Sequence, residues 1–490
     1  MKPSAPQTDT VHPGGESARS EIPLPLAALG NQQSEAPEPK TSTRWFRKAC
    51  RGFRIPPPRR LLAVCALLGF LGVAAALTTP HVRAWYHLSA ARAALKKYHN
   101  LEAIRHLQFC LKTWPTDGEV LFLVARTARR AGAYGEAEQA LEKYEARRGS
   151  DEAVAVERIL LRTENGELDQ VEGQCRYWIE QGHPDKTFVF EACVRGYLQA
   201  YRLGDARLCL KRWREEEPDN LQTYYLEGQI HDCGGVSWAA ADAYQTVVQA
   251  DPEHDEARLK LTAALLERRA FPEAIPHLEY LRHRQPDEPL VPVRLAICRL
   301  FLGDPDEAVR LLDALLARRP HFAPALVERG KIALSRGEYE AAESWLREAV
   351  ALAPGDHETR YQFVQCLRRE GRAEEAQQQE QKLKRLEIDL RRISEIANAR
   401  MSETPYDPEL HAELGAIMLR NGFIEQGLHW LNSALQRDAR CSQAHQALAE
   451  YYQELGNAEM AERHRRLGAA APSGERDPAP AAGAKSATTR

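Results

Sequence analysis

Sixteen histidines and ten cysteines are the side chains with most chemistry to offer, and their spacing decides whether they can use it. A paired imidazole metal site on one helix needs two histidines three or four residues apart, as in H-E-x-x-H, and no two of the sixteen are so placed. His277 and His283, six apart, project from different faces. The cysteines come no closer than fifteen residues and include no C-x-x-C, which removes the zinc-ribbon and dithiol spacings. Phosphate chemistry would need a glycine-rich loop after a strand. Gly483-Ala484-Lys485-Ser486 has only the ending of one, in an Ala/Pro-rich tail with no strand before it. No G-x-S-x-G or G-x-G-x-x-G occurs. The expectation is therefore no catalytic residue, no metal and no cofactor: a protein that is not an enzyme. Its alternative is an enzyme whose convergent polar groups no local motif announces.

Charge excludes a further class. Lys and Arg number 66 against 69 Asp and Glu, so no overall basic field exists to draw in nucleic acid. Free cysteine is among the most buried residue types, so Cys110, Cys175 and Cys193 are read as small core residues, with a disulfide as the alternative in an oxidising compartment.

What must position the side chains is a repeat. Pro218, Pro252, Pro286, Pro320 and Pro354 follow one another at thirty-four residues. A small residue keeps the same interval: Ala103, Ala137, Val171, Ala206, Ala240, Ala274, Ala308, Ala342 and Ala376, then Gly427 and Ala461. One residue is inserted before Ala206, and the step to Gly427 is fifty-one. Four residues after most marks stands a larger apolar residue, such as Leu107, Leu210, Tyr244, Leu312 or Leu431, its neighbour on one helix face. The pattern predicts two antiparallel helices per unit. Helix A has a small residue at Gly228, Ala296, Gly330 and Gly415, where helix B crosses closely, small residue against small. Turns are expected at Leu203-Gly204-Asp205, Leu302-Gly303-Asp304, Arg336-Gly337-Glu338 and Leu455-Gly456-Asn457. The prolines end helix B.

These residues resemble the tetratricopeptide repeat: the thirty-four-residue period, the Gly or Ala of helix A, the Ala and bulky pair of helix B and the closing Pro. The resemblance covers about 84–467 and implies an all-α, right-handed superhelical solenoid of about eleven helix-turn-helix repeats. It places 84–371 in repeats one to nine and 407–467 in two more. It also implies a concave side, lined by helices A, that binds a protein partner or peptide segment. Carried across by register, the inward candidates are Tyr225, Gln229, Leu259, Leu266, Val293, Ile297, Leu300, Val327, Lys331, Leu334, Tyr361, Gln365 and Arg368. The family's carboxylate-clamping set is absent from these positions.

The long step is a helix of its own. Between Arg372 and Met401 there is no Pro or Gly, and Leu383, Leu386, Leu390, Ile393 and Ala397 make a seam of about two heptads over 372–402. It is read as a lengthened helix B packed on the next unit, with a homodimer contact through a coiled coil as the alternative.

Ahead of the repeats, 1–43 is Pro/Ser-rich and read as a disordered tail, as is 468–490. The segment 44–60 is basic, and Leu61–Thr79 carries no charge for nineteen residues. At 1.5 Å per residue a helix of that length reaches roughly 28 Å, enough to span a bilayer. The segment is read as one transmembrane helix, uncleaved, with cleavage after Ala76 as the alternative. Seven cations before the span and two soon after it place the N-terminus in the cytoplasm and the repeats on the exoplasmic side, in a bacterium the periplasm. The sequence thus describes a membrane-anchored, non-enzymatic binding scaffold, or an adaptor presenting clients to a membrane enzyme such as a protease or polysaccharide synthase.

Overall fold

A computed structural model describes residues 78–397 and 401–469. Helices account for nearly all of it, and no strand occurs among the described residues. The chain divides into two lobes, with the boundary between Asn165 and Gly166. The N-terminal lobe holds α1 (78–96), α2 (Asn100–Thr113), α3 (Gly118–Arg130), α4 (Tyr134–Arg148) and α5 (Glu152–Glu164). The C-terminal lobe begins with α6 (Leu168–Gln181), α7 (Lys186–Gln199), α8 (Leu203–Glu216), α9 (Leu221–Cys233), α10 (Ser237–Ala250) and α11 (Asp255–Glu267). It continues with α12 (Phe271–Arg284), α13 (Leu290–Phe301), α14 (Pro305–Arg318), α15 (Ala323–Arg336), α16 (Tyr339–Leu352), α17 (His357–Arg369) and the longer α18 (Ala373–Glu395). After the short α19 (Met401–Glu403) come α20 (Pro408–Arg420), α21 (Ile424–Arg437), α22 (Ser442–Glu454) and α23 (Ala458–Ala469).

Odd-numbered helices up to α17 are helices A and even-numbered ones helices B; beyond α18 the order reverses, with α20 and α22 as A. Helices α8, α10, α12, α14 and α16 each end two residues before a proline of the ladder. The helices A α3, α5, α9, α11, α17 and α20 start on side-chain caps that occupy otherwise unpaired N–H groups. Asp117 accepts from Val120 N at 3.0 Å, Asp151 from Val154 N at 2.9 Å and Asp407 from Glu409 N at 2.9 Å.

One left-handed residue stands in every A-to-B turn: Tyr98, Gly132, Gly166, Tyr201, Gly235, Arg269, Gly303, Gly337, Gly371, Gly422 and Gly456. Glycine fits because it lacks the Cβ that disfavours positive φ. Tyr98, Tyr201 and Arg269 adopt it regardless, at a cost of about 1–3 kcal/mol each. The turn expected at Leu203-Gly204-Asp205 is therefore two residues earlier, at Tyr201, and Leu203 already opens α8.

The register marks are core. Ala206, Ala240, Ala274, Ala308 and Ala342 are fully buried. The close crossing differs from expectation in its partner. A Cβ on Gly228 would lie 2.5 Å from the Tyr244 ring, one on Gly330 2.7 Å from Leu346 and one on Gly415 2.7 Å from Leu431. At Gly228 and Gly330 helix A's glycine thus makes room for the bulky residue of helix B, whereas at Gly415 the backbone oxygen of the small Gly427 is also 2.9 Å away, small against small as expected.

Among the described residues no helix is long and apolar enough to cross a membrane. Leu61–Thr79 lies outside the described residues but for Thr78 and Thr79, as do 1–43, 44–60 and 470–490. Helix α1 is described from residue 78 onward and includes Pro80. The seam of α18 is used inside the chain. Leu383 and Leu386 are buried, while Ile393 packs against a cluster of Ile396, Met401, Leu410, Leu414, Met418 and Trp430. Asp389 sits buried within that seam, accepting from Arg420 Nε at 2.7 Å and from Asn421 Nδ2 at 2.8 Å. A lengthened helix B packed on the next unit is what this describes.

Candidate partner-binding face and the joint beside it

In the C-terminal lobe successive helices A approach one another, α11 beside α13, α13 beside α15 and α15 beside α17, more closely than successive helices B. Stacking that is tighter on one side bends the array toward that side, so helices A lie on its inner face.

The thirteen candidates divide by burial. Tyr225, Val293, Val327 and Leu334 are buried, Tyr225 with its ring 5.5 Å from that of His254, and so serve the core. Leu259, Leu266, Ile297 and Leu300 are only partly buried, packed at the edge of the core with one side left open. Gln229 and Gln365 are half-buried, and Tyr361 and Arg368 are exposed, the latter donating to Glu380 at 2.7 Å. Lys331 Nζ lies 2.9 Å from Glu328 and 3.3 Å from Glu358. Burial alone would lower its pKa, but the two carboxylates outweigh it and raise the ammonium above its ordinary value. The inner face is thus an apolar strip on α11 and α13 that grades into charge on α15 and α17.

Among the cysteines, Cys110, Cys175, Cys193, Cys298, Cys366 and Cys441 are buried, as a core role requires. Hydrogen bonding with Cys175 and Cys209, then burial, holds the Cys193 thiol well above its ordinary pKa, a poor setting for a nucleophile.

A second constellation was invisible in the sequence. The tenth unit, α20 and α21, reaches back to α6–α8 across the lobe. Glu172 Oε2 accepts from Tyr406 OH at 2.8 Å and from Arg202 Nη1 at 2.8 Å; Oε1 accepts from Tyr197 OH at 2.9 Å and Arg176 Nη2 at 3.1 Å. Arg437 pairs with Asp169, and Tyr201 packs its ring 6.2 Å from Trp430. Between them is a shallow cleft lined by Gly166, Gln199 and Arg202 on one side and by Pro405, His411 and His429 on the other. Tyr201 in a glycine's place was the one local signal of this joint.

Burial alone would raise the Glu172 carboxyl, but the hydrogen bonds from Arg202 and Tyr406, the Arg202 charge and the Tyr197 hydroxyl bring it down to about 2. A carboxylate depressed in the folded state adds stability above its ordinary range and loses it as pH falls through the folded value. The stability difference between wild type and Glu172→Gln should therefore shrink as pH drops from 4.5 to about 2. Denaturant unfolding at a series of pH values measures it; a difference independent of pH would mean that the carboxylate charge does not hold this joint.

The family model for the tetratricopeptide repeat matches 73–153, 239–289 and 293–357. Over those residues the chain carries tetratricopeptide repeats. No curated protein matches it. Among solved structures, a tetratricopeptide repeat protein from Parabacteroides merdae is similar at 15% identity, over 58% of this chain and 99% of that one, with a TM-score of 0.33. A human IFIT1 dimer with PPP-AAAA is similar at 16% identity, over 72% and 90%, with a TM-score of 0.37. The MamA protein gives 21% identity over 34% and 92%, with a TM-score of 0.27. Tetratricopeptide repeats are scaffolds for protein–protein interaction, and that is the coarse function of this chain.

Proposed function

We propose that this tetratricopeptide repeat protein is a non-enzymatic scaffold held to a membrane by Leu61–Thr79, with its N-terminus cytoplasmic and its repeats exoplasmic, in a bacterium periplasmic. Its partner is a protein or peptide segment seated on helices A. The observation that supports this is the partly open apolar strip of Leu259, Leu266, Ile297 and Leu300, which the core does not fully absorb. An apolar or amphipathic segment would complete its burial. The uncharged Leu61–Thr79 behind its basic flank supports the anchor. A homodimer through 372–402 is the weaker reading of the partner, because that seam already packs on the chain's own tenth unit.

Crosslinking of the membrane-embedded protein, followed by mass spectrometry, tests the reading against a variant with Ile297→Asp and Leu300→Asp. Partners captured by wild type and lost from the variant are expected. Equal capture by both would move the binding face elsewhere. The adaptor reading predicts a membrane protease or polysaccharide-synthesis component among those partners. A reporter fused beyond residue 469 should be exoplasmic and should lose that uniform orientation when Arg51 and Arg59 are neutralised; a cytoplasmic reporter would reverse the topology.

A further inference from the structure

The joint between the tenth unit and α6–α8 has a function that packing alone does not require. Glu172 and Tyr406 are 234 residues apart in sequence, yet share a hydrogen bond, so α6 to α21 form a closed circuit. Seven helices A line it: α7, α9, α11, α13, α15, α17 and α20. With α18 included and helix axes roughly 10 Å apart, the circuit is about 80 Å round and about 25 Å across between axes. Removing a helix width of about 10 Å leaves a lumen of about 15 Å. An extended chain or a single helix passes such an opening. A folded domain does not.

The two sides of the tenth unit are held differently. Toward α18 it is fixed by buried Asp389 on Arg420 and Asn421 and by the Ile396–Trp430 cluster, whose other edge is met by Tyr201. Toward α6–α8 neither α20 nor α21 lies lengthwise on a helix; the tips of Tyr406, Trp430 and Arg437 make the contact. This second side is nonetheless shaped for its occupant. Gly166 lies where any Cβ would overlap the His429 ring, and Tyr201 keeps a positive φ while its ring meets Trp430.

We propose that the tenth unit is a latch. Closed on α6–α8 it makes the C-terminal lobe a ring and admits only a single unfolded segment or helix to helices A; released, it opens them to a folded partner. This regulates the binding face proposed above, and so rests on that reading for its purpose but not for its test.

Cys233 supplies the readout. It ends α9, one of the helices A, is reached by solvent, and is crowded enough that burial and then Asp232 raise its thiol pKa. The full chain is treated in mildly alkaline buffer with N-ethylmaleimide or with a maleimide on a 5-kDa polyethylene glycol (~5 kDa, wider than the lumen estimated from helix spacing). Modification at Cys233 is followed by peptide mass spectrometry. The small reagent should react at similar rates in all variants. The large one should be slow on wild type and roughly tenfold faster on Asp169→Arg or Arg437→Asp, as loss of a charge-assisted bond implies. The exchanged pair Asp169→Arg with Arg437→Asp should restore the slow rate. Fast reaction of wild type with the large reagent, or failure of the exchanged pair to slow it, would overturn the latch. If the charge variants unfold, seen as new reactivity of buried Cys298 and Cys366, Tyr406→Phe decides: faster with the large reagent alone upholds the latch, unchanged rejects it.

Discussion

Trp213→Ala is expected to destabilise the C-terminal lobe by about 3–5 kcal/mol, the range for emptying a buried aromatic site. Trp213 is the largest fully buried side chain, and its ring lies almost parallel to that of Phe190, with centroids 6.1 Å apart. It joins α7 to α8, the pair beside α6, whose Glu172 and Asp169 receive Tyr406 and Arg437. The cavity opened by alanine has little means of collapse, because Ala206 and Leu210 on the same helix are already packed. In a repeat array the loss should be felt first by neighbours, since each unit is stabilised by the ones beside it. Hydrogen exchange should therefore rise in 186–216 and spread to 401–437 before it reaches 323–369. Uniform exchange throughout the lobe would show that the units do not act in this nearest-neighbour way, and an unfolding midpoint equal to wild type would refute the packing role.

The second large effect belongs to the N-terminal lobe. Arg129 is fully buried and donates from Nε to Glu157 at 2.6 Å and from Nη1 to Glu164, with Arg126 Nε on the other Glu157 oxygen at 3.0 Å. Burial alone would raise the Glu157 carboxyl, but Arg129 and then Arg126 keep it below its ordinary pKa. Arg129→Met removes the central cation and leaves two carboxylates in a dry site, at an expected cost of about 3–5 kcal/mol. Adding Glu157→Leu and Glu164→Leu should recover most of that loss, because an apolar replacement of a whole buried network is often neutral or favourable. Denaturant unfolding of the three-residue variant beside Arg129→Met gives the answer. No recovery would mean that Arg129 acts through packing of its stem, not through charge.

The repeat was legible because every unit has the same packing problem and solves it with the same residues. Ala240 and Ala274 sit where two helices cross, Pro252 and Pro286 where one stops, and neither requirement depends on distant sequence. Conversely, the side that a given helix A residue faces depends on how the array curves, which no single unit contains. That is why register brought together Leu259 and Ile297, at the edge of the core, with Val293 and Val327, inside it. The α18 seam was legible as apolar spacing, but Asp389, on the face that meets Arg420 and Asn421, looked like an ordinary solvated charge. The joint was illegible for a stronger reason. Glu172 and Tyr406 belong to no shared local pattern, and only the summed geometry of the intervening units brings them within 2.8 Å.

That closure makes the C-terminal lobe a counting device. A linear solenoid gains or loses a unit with little consequence, because its ends touch nothing. Here the span from Glu172 to Tyr406 must hold a fixed number of helix pairs, each contributing its own rise and turn, for the two residues to meet. Duplicating or excising any thirty-four-residue period between them would leave every local interface intact and still carry Tyr406 past its carboxylate. The one-residue insertion before Ala206 and the lengthened α18 then take on a different meaning: they are where an otherwise regular series was adjusted so that its circumference comes out whole.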